Sequence, residues 1–444
     1  MAYITLIDYL LLPVYLFILY LFAKKAAKKQ ETPALSHYLM MAFALRMFGS
    51  FAYSMVMQYY YGYGDSFSYY NGGSFYIDAV LKQASNIKYF FLPVSEANEW
   101  YEATAVDPSL LGYFATPANN IVMKISAILG AFTFNKFLIT SLLFGYFSFW
   151  GQWKLFKVFD DINHHAHQKL LAFAVLYTPS IWFWGSGLLK DAICMGAVGI
   201  VIHFLYFWLV RKQWSVWKFI YCLFLIYLIT IIKLYIAVIL LIGLVILFFS
   251  VAIKYIKNIF FKLIIILLLF VSVFIITNNS NINSLIDQYT EESLITIKTF
   301  QHTYDVTQLE DSKGGFDIGD LNASASGLLL KSPAVIFSCL YRPFLWESKK
   351  IMILFTALES TLLLLLTIIL LFRTAFVGFF KIIFRSPYLV FCFTISILFA
   401  LIIGFTTFNF GTMVRYKIML LPFYYFMLTI IFTKVMEKKQ VQAP

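Results

Sequence analysis

Apolar stretches about as long as a bilayer is thick recur along this sequence, and short clusters of lysine and arginine separate them. Hydrophobic residues make up 61% of the chain and charged residues 13%, whereas soluble domains carry about 25% charged residues. The sequence therefore predicts an all-α, polytopic bundle of transmembrane helices. The net charge of +12 falls in clusters between the apolar stretches, which indicates membrane topology and predicts no nucleic-acid partner.

A helix needs about 20 apolar residues to cross a bilayer, and somewhat fewer when aromatic and basic residues flank it. This rule predicts a single integral membrane domain over residues 1–444 with about eleven spans. They lie near 4–23, 38–58, 137–156, 169–184, 190–210, 217–232, 235–252, 260–277, 350–372, 388–407 and 417–434. An odd number of spans puts the termini on opposite sides, and the basic clusters then fall on one side, which predicts an outer N-terminus and a cytoplasmic C-terminus.

Two long segments, 59–136 and 278–349, are predicted at the outer face. Within the first, Asn119 to Phe134 is apolar enough to suggest a span, but a crossing there would place the basic clusters on opposite sides. We expect it, together with Ile77 to Phe91, to form amphipathic or re-entrant helices at the membrane surface.

Basic residues at predicted outer span ends are candidate ligands for a lipid-linked phosphate or diphosphate. They are Lys190, Lys233, Arg342, Arg415 and Lys417. The alternative is that each reaches out of the bilayer to lipid headgroups. Nearby polar residues could support such a site: Asp191, Tyr235, Glu347 and Asn409.

Asp65 is the candidate catalytic residue. It lies in Tyr63-Gly-Asp-Ser-Phe-Ser-Tyr-Tyr70, directly after a predicted span, with Tyr69 and Tyr70 as supporting aromatic residues. A carboxylate at the membrane surface could take a proton from an acceptor hydroxyl as a general base. The structural alternative, compatible with this role, is an N-cap on a helix that starts at Ser66.

Metal and nucleotide motifs give no further site. The four cysteines have no metal-ligand spacing, and the sequence has neither a P-loop nor a GxGxxG motif in context. His164, His165 and His167 have no second ligand cluster, so a solvated loop is the better interpretation. No cofactor is predicted, and a divalent cation is left open.

With these residues in view, the chain resembles the glycosyltransferase C superfamily, which uses polyprenyl-phosphate sugars at the outer membrane face. Gly64-Asp65-Ser66 with Tyr69-Tyr70 looks like that superfamily's first acidic loop, although Ser66 stands where a second acidic residue is usual. Three blocks resemble bacterial surface-polysaccharide membrane proteins: Pro179-Ser-Ile-Trp-Phe-Trp-Gly-Ser-Gly-Leu-Leu-Lys-Asp191, Arg342-Pro-Phe-Leu-Trp-Glu347 and Asn409-Phe-Gly-Thr-Met-Val-Arg415-Tyr-Lys417.

The resemblance implies an inverting glycosyltransferase of the bacterial cytoplasmic membrane, with Asp65 as base and the basic residues holding the leaving lipid phosphate. Two alternatives stay open. One is a polymerase or ligase of diphosphate-linked surface polysaccharide, in which paired basic residues dominate. The other is a flippase or transporter of lipid-linked glycans, which the lack of an internal repeat disfavours.

Overall fold

A computed structural model describes residues 3–104, 108–255, 325–348, 350–407 and 409–442 of the chain. In these ranges the protein is helical throughout and contains no β-strand. It divides into two compact units, Met1–Ala237 and Val238–Pro444. The prediction of an all-helical, multi-pass membrane protein is thus confirmed.

The first unit contains the helices up to the start of α13, which continues into the second unit. Their bounds are α1 Leu6–Ala27, α2 Pro33–Val56, α3 Asp65–Lys82, α4 Ile87–Phe91, α5 Val94–Thr104, α6 Leu111–Ala115, α7 Pro117–Phe132, α8 Phe137–Ile162, α9 Gln168–Val175, α10 Pro179–Trp184, α11 Lys190–Leu209, α12 Val216–Ile232 and α13 Leu234–Tyr255. A π-helical turn, Met57–Tyr61, extends α2.

The second unit contains the remaining described helices. They are α14 Ala325–Tyr341, α15 Ile351–Thr374, α16 Phe376–Phe384, α17 Pro387–Thr406, α18 Phe410–Lys417 and α19 Leu421–Gln442. Helix α14 falls in the segment 278–349 that was expected to be an outer loop. Lys331, Ser332 and Pro333 interrupt its apolar pattern in the sequence, yet Val335 packs against Gly404 of α17.

Six described helices are long and apolar enough to cross a membrane, or eight if each of two bent helix pairs counts as one span. Helix α12, at 17 residues, is shorter than these. The predicted span 260–277 and residues 278–324 of the second outer segment lie outside the described residues. Apolar helices of this length and number indicate contact with a lipid bilayer.

The predicted span 169–184 is not one helix. Helices α9 and α10 are separated at residues 176–178, because a proline at 179 disfavours helical backbone in the residue before it. Side chains bind the carbonyl groups of this segment: Gln152 donates to the Val175 carbonyl, and Arg46 Nη1 donates to the Ile181 carbonyl at 3.1 Å. Irregular backbone inside a membrane protein is tolerated where the protein satisfies it in this way.

The segment after the second span also differs from its prediction. Helix α3 begins at Asp65 and ends at Lys82, and a short 3₁₀ turn separates it from α4, so Ile77 to Phe91 is not a single amphipathic helix. Helix α7, within the predicted Asn119–Phe134 element, meets α8 at 112°. That angle fits a surface or re-entrant helix that precedes a span.

Contacts within the first unit define its two ends. At the Asp65 end, the Tyr3 ring stacks on Phe67 at 3.9 Å and the Leu138 amide donates to Asp8 Oδ1 at 3.1 Å. At the opposite end, Arg211 pairs with Asp161 at 2.8 Å and Lys157 lies 3.6 Å from Glu31. The helices therefore alternate in direction between the two ends, as the predicted topology requires of them.

Helices α8 and α11 pack closely because glycines face each other. A Cβ atom placed on Gly151 would lie 2.1 Å from the Gly196 carbonyl oxygen, and one on Gly199 would lie 1.9 Å from the Gly151 carbonyl oxygen. Small residues let helix backbones approach in this way. The pair fixes the start of α11, which carries Lys190, against the rest of the unit.

Candidate functional site

Asp65 is the first residue of α3. The N-cap is Gly64, whose φ of 136° favours glycine, so the expected helix start at Ser66 is one residue late and Asp65 is not the cap. The Tyr113 hydroxyl donates a hydrogen bond of 2.9 Å to Asp65 Oδ1. The N-terminus of a helix favours negative charge, so the carboxylate is held in a fixed position where its charged form is stabilised.

Tyr69 and Tyr70 have separate structural contacts. The Tyr69 hydroxyl donates to Asn119 Oδ1 at 3.2 Å, and its ring lies edge-on to Tyr113 at 5.8 Å. The Tyr70 hydroxyl donates to the Asn135 carbonyl at 2.7 Å, and burial raises the pKa of Tyr70. Tyr69 thus supports the residue that contacts Asp65, whereas Tyr70 ties α3 to the turn before α8.

Lys190, Asp191 and Lys233 share the Asp65 end of the first unit. Lys190 begins α11, is half-buried, and interacts electrostatically with Asp65, Asp191 and Lys233. Lys233 Nζ lies 2.5 Å from Asp191 Oδ1, and both side chains are buried. Because Asp191 balances the charge of Lys233, Lys190 is the better placed of the two lysines to meet a ligand anion.

Tyr235 follows on α13, and its ring centroid lies 5.9 Å from Lys233 Nζ. A cation near an aromatic face is attracted by about 0.5–2 kcal/mol, depending on its exposure to water. Tyr235 therefore adds to the positioning of Lys233.

The second unit contains the other basic candidates. Arg342 pairs with Glu347, with Nε 2.9 Å from Oε1, and its guanidinium lies 5.4 Å from the centre of the Phe410 ring. The Phe344 amide also donates to Glu347, at 2.8 Å. Glu347 thereby stabilises the turn that follows Arg342. These contacts give both charged residues a structural role.

Lys417 is buried, with 2% of its surface exposed. Its ammonium donates to the Leu340 carbonyl at 3.2 Å, the Arg342 carbonyl at 3.1 Å and Ser360 Oγ at 2.8 Å. An ammonium has three donors, so these contacts account for all of them. Lys417 joins α14, α15 and α18, and its geometry favours a structural role over phosphate binding.

Arg415 and Asn409 complete the α18 block. The Arg415 guanidinium lies 5.2 Å from the centre of the Tyr416 ring. The Asn409 side chain accepts a hydrogen bond from the Gly411 amide at 2.7 Å and caps the helix. Asn409 therefore has a capping role, which was not predicted from the sequence.

An apolar groove of about 1050 Å³ lies between α12 and the helices α4, α5 and α7 of the first unit. Its wall on α12 includes Phe224, Tyr227, Leu228 and Ile231, which share one helix face, and Lys233 follows two residues later. On the opposite wall, Lys124 donates to the Leu92 carbonyl at 3.2 Å. The groove thus runs along an apolar face of α12 up to Ile231, near the end of that helix.

Metal ligands do not cluster among the described residues: no group of three or more His, Cys, Asp or Glu side chains lies close enough to hold an ion. The histidine loop is at the Asp161 end, where His165 Nδ1 lies 2.7 Å from Asp160 Oδ2. His164, His165 and His167 all have left-handed backbone.

The first unit therefore brings together Asp65, Lys190, Asp191 and Lys233, and the second unit brings together Arg342, Glu347 and Lys417. The sequence did not identify Tyr113, because nothing in the pattern around it distinguishes it from the chain's other tyrosines. No protein-family model, curated protein or solved structure matches this chain.

Proposed function

We propose that this protein is an inverting glycosyltransferase that moves a sugar from a polyprenyl-phosphate donor to an acceptor hydroxyl at the outer face of a bacterial cytoplasmic membrane. The observation that carries the proposal is that the Tyr113-bound Asp65 carboxylate and Lys190 share one end of the first unit and interact electrostatically. The resemblance of the Asp65 segment to the glycosyltransferase C acidic loop supports the same activity.

Asp65 supplies the base in this reaction. It takes the proton of the acceptor hydroxyl, whose oxygen bonds to the anomeric carbon while the bond from that carbon to the phosphate oxygen breaks. General base catalysis of this kind contributes about 10²–10⁴-fold to the rate. The Tyr113 hydrogen bond fixes the carboxylate orientation before the acceptor binds.

Lys190 stabilises the leaving phosphate. A phosphate that leaves as an anion needs no general acid when a cation in a low-dielectric setting holds its charge. Asp191 holds Lys233 in place and balances its charge. The reaction therefore requires one carboxylate and one half-buried cation, and both lie at the Asp65 end.

The apolar groove accounts for the lipid part of the donor. A polyprenyl chain is apolar and unbranched apart from its methyl groups, and the groove along α12 is lined mainly by aromatic and aliphatic side chains. Because the chain comes from lipid and not from water, its packing against these side chains, and not the hydrophobic effect, favours the groove. Lys233 follows Ile231, the last groove residue on α12, by two positions, so we place the donor phosphate at this end of α12, on the side of the lysine cluster.

Orientation follows from the same assignment. The Asp65 end faces outward, which places the N-terminus outside and the basic clusters near Glu31, Lys157 and Arg211 in the cytoplasm. Gln168, at the start of α9, donates to Asp160 near the Asp161 end of the unit, and Lys190, which follows α10, lies at the Asp65 end. The broken segment α9–α10 therefore takes the place of the predicted span 169–184. The proposed topology has about eleven crossings, and this broken segment is one of them.

Complementation of surface-glycan production in a deletion strain tests the proposal. Asp65→Asn and Arg415→Ala are compared at matched membrane expression, with Asp78→Asn as the control, because Asp78 is an exposed carboxylate of the same helix. Of these three variants, we expect only Asp65→Asn to abolish glycan transfer and to cause accumulation of polyprenyl-phosphate monosaccharide.

Full activity of Asp65→Asn would overturn the transferase assignment. Loss with Arg415→Ala, together with accumulation of unpolymerised diphosphate-linked repeat units, would instead support the polymerase.

A further inference from the structure

One buried face of α2 contacts the broken segment that precedes Lys190. Arg46, Gly49, Ser50 and Tyr53 lie on this face, at the three- and four-residue spacing that puts side chains on one side of a helix. A Cβ atom on Gly49 would lie 2.4 Å from the Trp182 carbonyl oxygen. Helix α2 is therefore in direct backbone contact with α10.

Hydrogen bonds from the same face hold the turn that follows α10. The Ser50 hydroxyl lies 3.0 Å from the Ser186 carbonyl oxygen, to which it donates, and the Ser186 hydroxyl donates to the Arg46 carbonyl at 3.3 Å. Arg46 itself is 1% exposed and donates to Ile181. Helix α2 thus holds the turn 185–187 in addition to the bonds that join the turn to α10.

Tyr53 contacts both halves of the site. A Cβ atom on Gly187 would lie 2.2 Å from Tyr53 Cε1, so the ring packs directly on that backbone. The Tyr53 hydroxyl lies 2.7 Å from Ser66 Oγ in a buried hydrogen bond. Ser66 adjoins Asp65, and Gly187 is three residues before Lys190, so one side chain joins the segments that carry the proposed base and the proposed phosphate ligand.

We infer that Tyr53 is a positioning residue that sets the separation between the Asp65 carboxylate and the Lys190 ammonium. The inference rests on the proposed function for its catalytic meaning, but the geometry that it describes exists without it. A displacement of about 1 Å in a reacting group can cost about 10²-fold in rate, and a buried hydrogen bond fixes the start of α3 to within such a distance. Tyr53 contacts neither substrate in this role.

Kinetics of the purified protein in lipid nanodiscs provide the first test. Tyr53→Phe retains the ring and removes the hydroxyl, and Ser66→Ala removes its partner. We expect each variant to lower kcat about tenfold, or about 1.4 kcal/mol in transition-state stabilisation, because the start of α3 is placed less precisely. The donor KM and the affinity for polyprenyl phosphate should not change, and the double variant should be no worse than either single variant.

Tyr63→Phe, at a tyrosine that is 72% exposed, is the matched control and should have wild-type kinetics. If the losses of the two single variants multiply in the double variant, the inference is overturned. It is also overturned if kcat is unchanged in Tyr53→Phe while the wild-type protein is active.

A cross-linking measurement separates this inference from the proposed function, because it requires no sugar transfer. Asp65→Cys and Lys190→Cys are combined in a chain whose Cys194, Cys222, Cys339 and Cys392 are replaced by alanine, and a short bifunctional thiol reagent is added. We expect the cross-linking rate to fall at least about threefold when Tyr53→Phe or Ser66→Ala is included, because loss of the hydrogen bond frees the start of α3. An unchanged rate would overturn the positioning role, whatever reaction the protein catalyses.

Discussion

The Tyr113 hydroxyl donates a hydrogen bond of 2.9 Å to Oδ1 of Asp65. Tyr113 belongs to α6, whereas Asp65 begins α3, so the two residues meet because the chain between them folds back. A hydroxyl that donates to a carboxylate orients it and holds it ready for proton transfer. The contact gives the proposed base a partner outside its own helix.

Removal of this hydroxyl is the first prediction. Tyr113→Phe should lower the rate of transfer about tenfold, since a hydrogen bond to a charged group contributes about 1.5–3 kcal/mol and water can replace part of it. Binding of polyprenyl phosphate should be unchanged, because the proposal assigns Tyr113 to the base and Lys190 to the phosphate. Steady-state kinetics and lipid binding on the same nanodisc preparation measure both quantities, with Tyr63→Phe as the control.

A second prediction concerns the two lysines. Lys190→Ala should weaken binding of polyprenyl phosphate about tenfold, because it removes the half-buried cation assigned to the phosphate. Lys190→Arg should retain most of the affinity, and the binding of the wild-type protein should weaken as salt increases. Isothermal titration with polyprenyl phosphate in nanodiscs measures this, and a wild-type affinity in Lys190→Ala would remove Lys190 from the site.

A third prediction concerns the buried ion pair of Lys233 and Asp191, whose loss should affect folding stability. Lys233→Met leaves the Asp191 carboxylate buried without its cation, and breaking a buried pair in this way costs about 3–5 kcal/mol. The double variant Lys233→Met and Asp191→Asn removes both charges and should recover most of the stability. Thermal unfolding in detergent, followed by intrinsic fluorescence, compares the two. Equal losses in Tm would show that the pair does not govern the stability of the α11–α12 contact.

The sequence could predict the charged residues of the site but not their partners. Asp65, Lys190, Asp191 and Lys233 are conspicuous because charged residues are expensive near apolar spans. Tyr113 and Tyr53 are two of 30 tyrosines in the chain, and their contacts depend on how the chain folds back between α3 and α7 and on the depth of α2 against α10. No local pattern encodes either relationship.

For Lys417 the sequence predicted a ligand role that the contacts in the structure do not favour. A basic residue on the predicted outer side is unusual, and this favoured a ligand role at the sequence level. The structure instead surrounds its ammonium with two carbonyl oxygens and the Ser360 hydroxyl. A helix-end position is readable from the sequence, but the direction in which the ammonium points depends on α14 and α15.

The groove along α12 carries the last prediction. Ile231→Trp should place a large ring in the groove near the end of α12 and lower the affinity for a long-chain polyprenyl phosphate about tenfold, because the ring fills space that part of the chain would occupy. Affinity for a short-chain isoprenoid phosphate, which leaves most of the groove empty, should change less, since its phosphate still reaches Lys190. Leu223→Trp is the matched control, because Leu223 lies on the same helix, is 51% exposed and does not line the groove.

Comparison of the two chain lengths decides what occupies the groove. A loss that grows with the length of the isoprenoid chain in Ile231→Trp, and not in Leu223→Trp, places the lipid tail along α12. Equal losses for both lengths would mean that the tryptophan disturbs the lysine cluster instead. No loss for either length would leave the tail in the surrounding bilayer and restrict recognition of the donor to its phosphate and sugar.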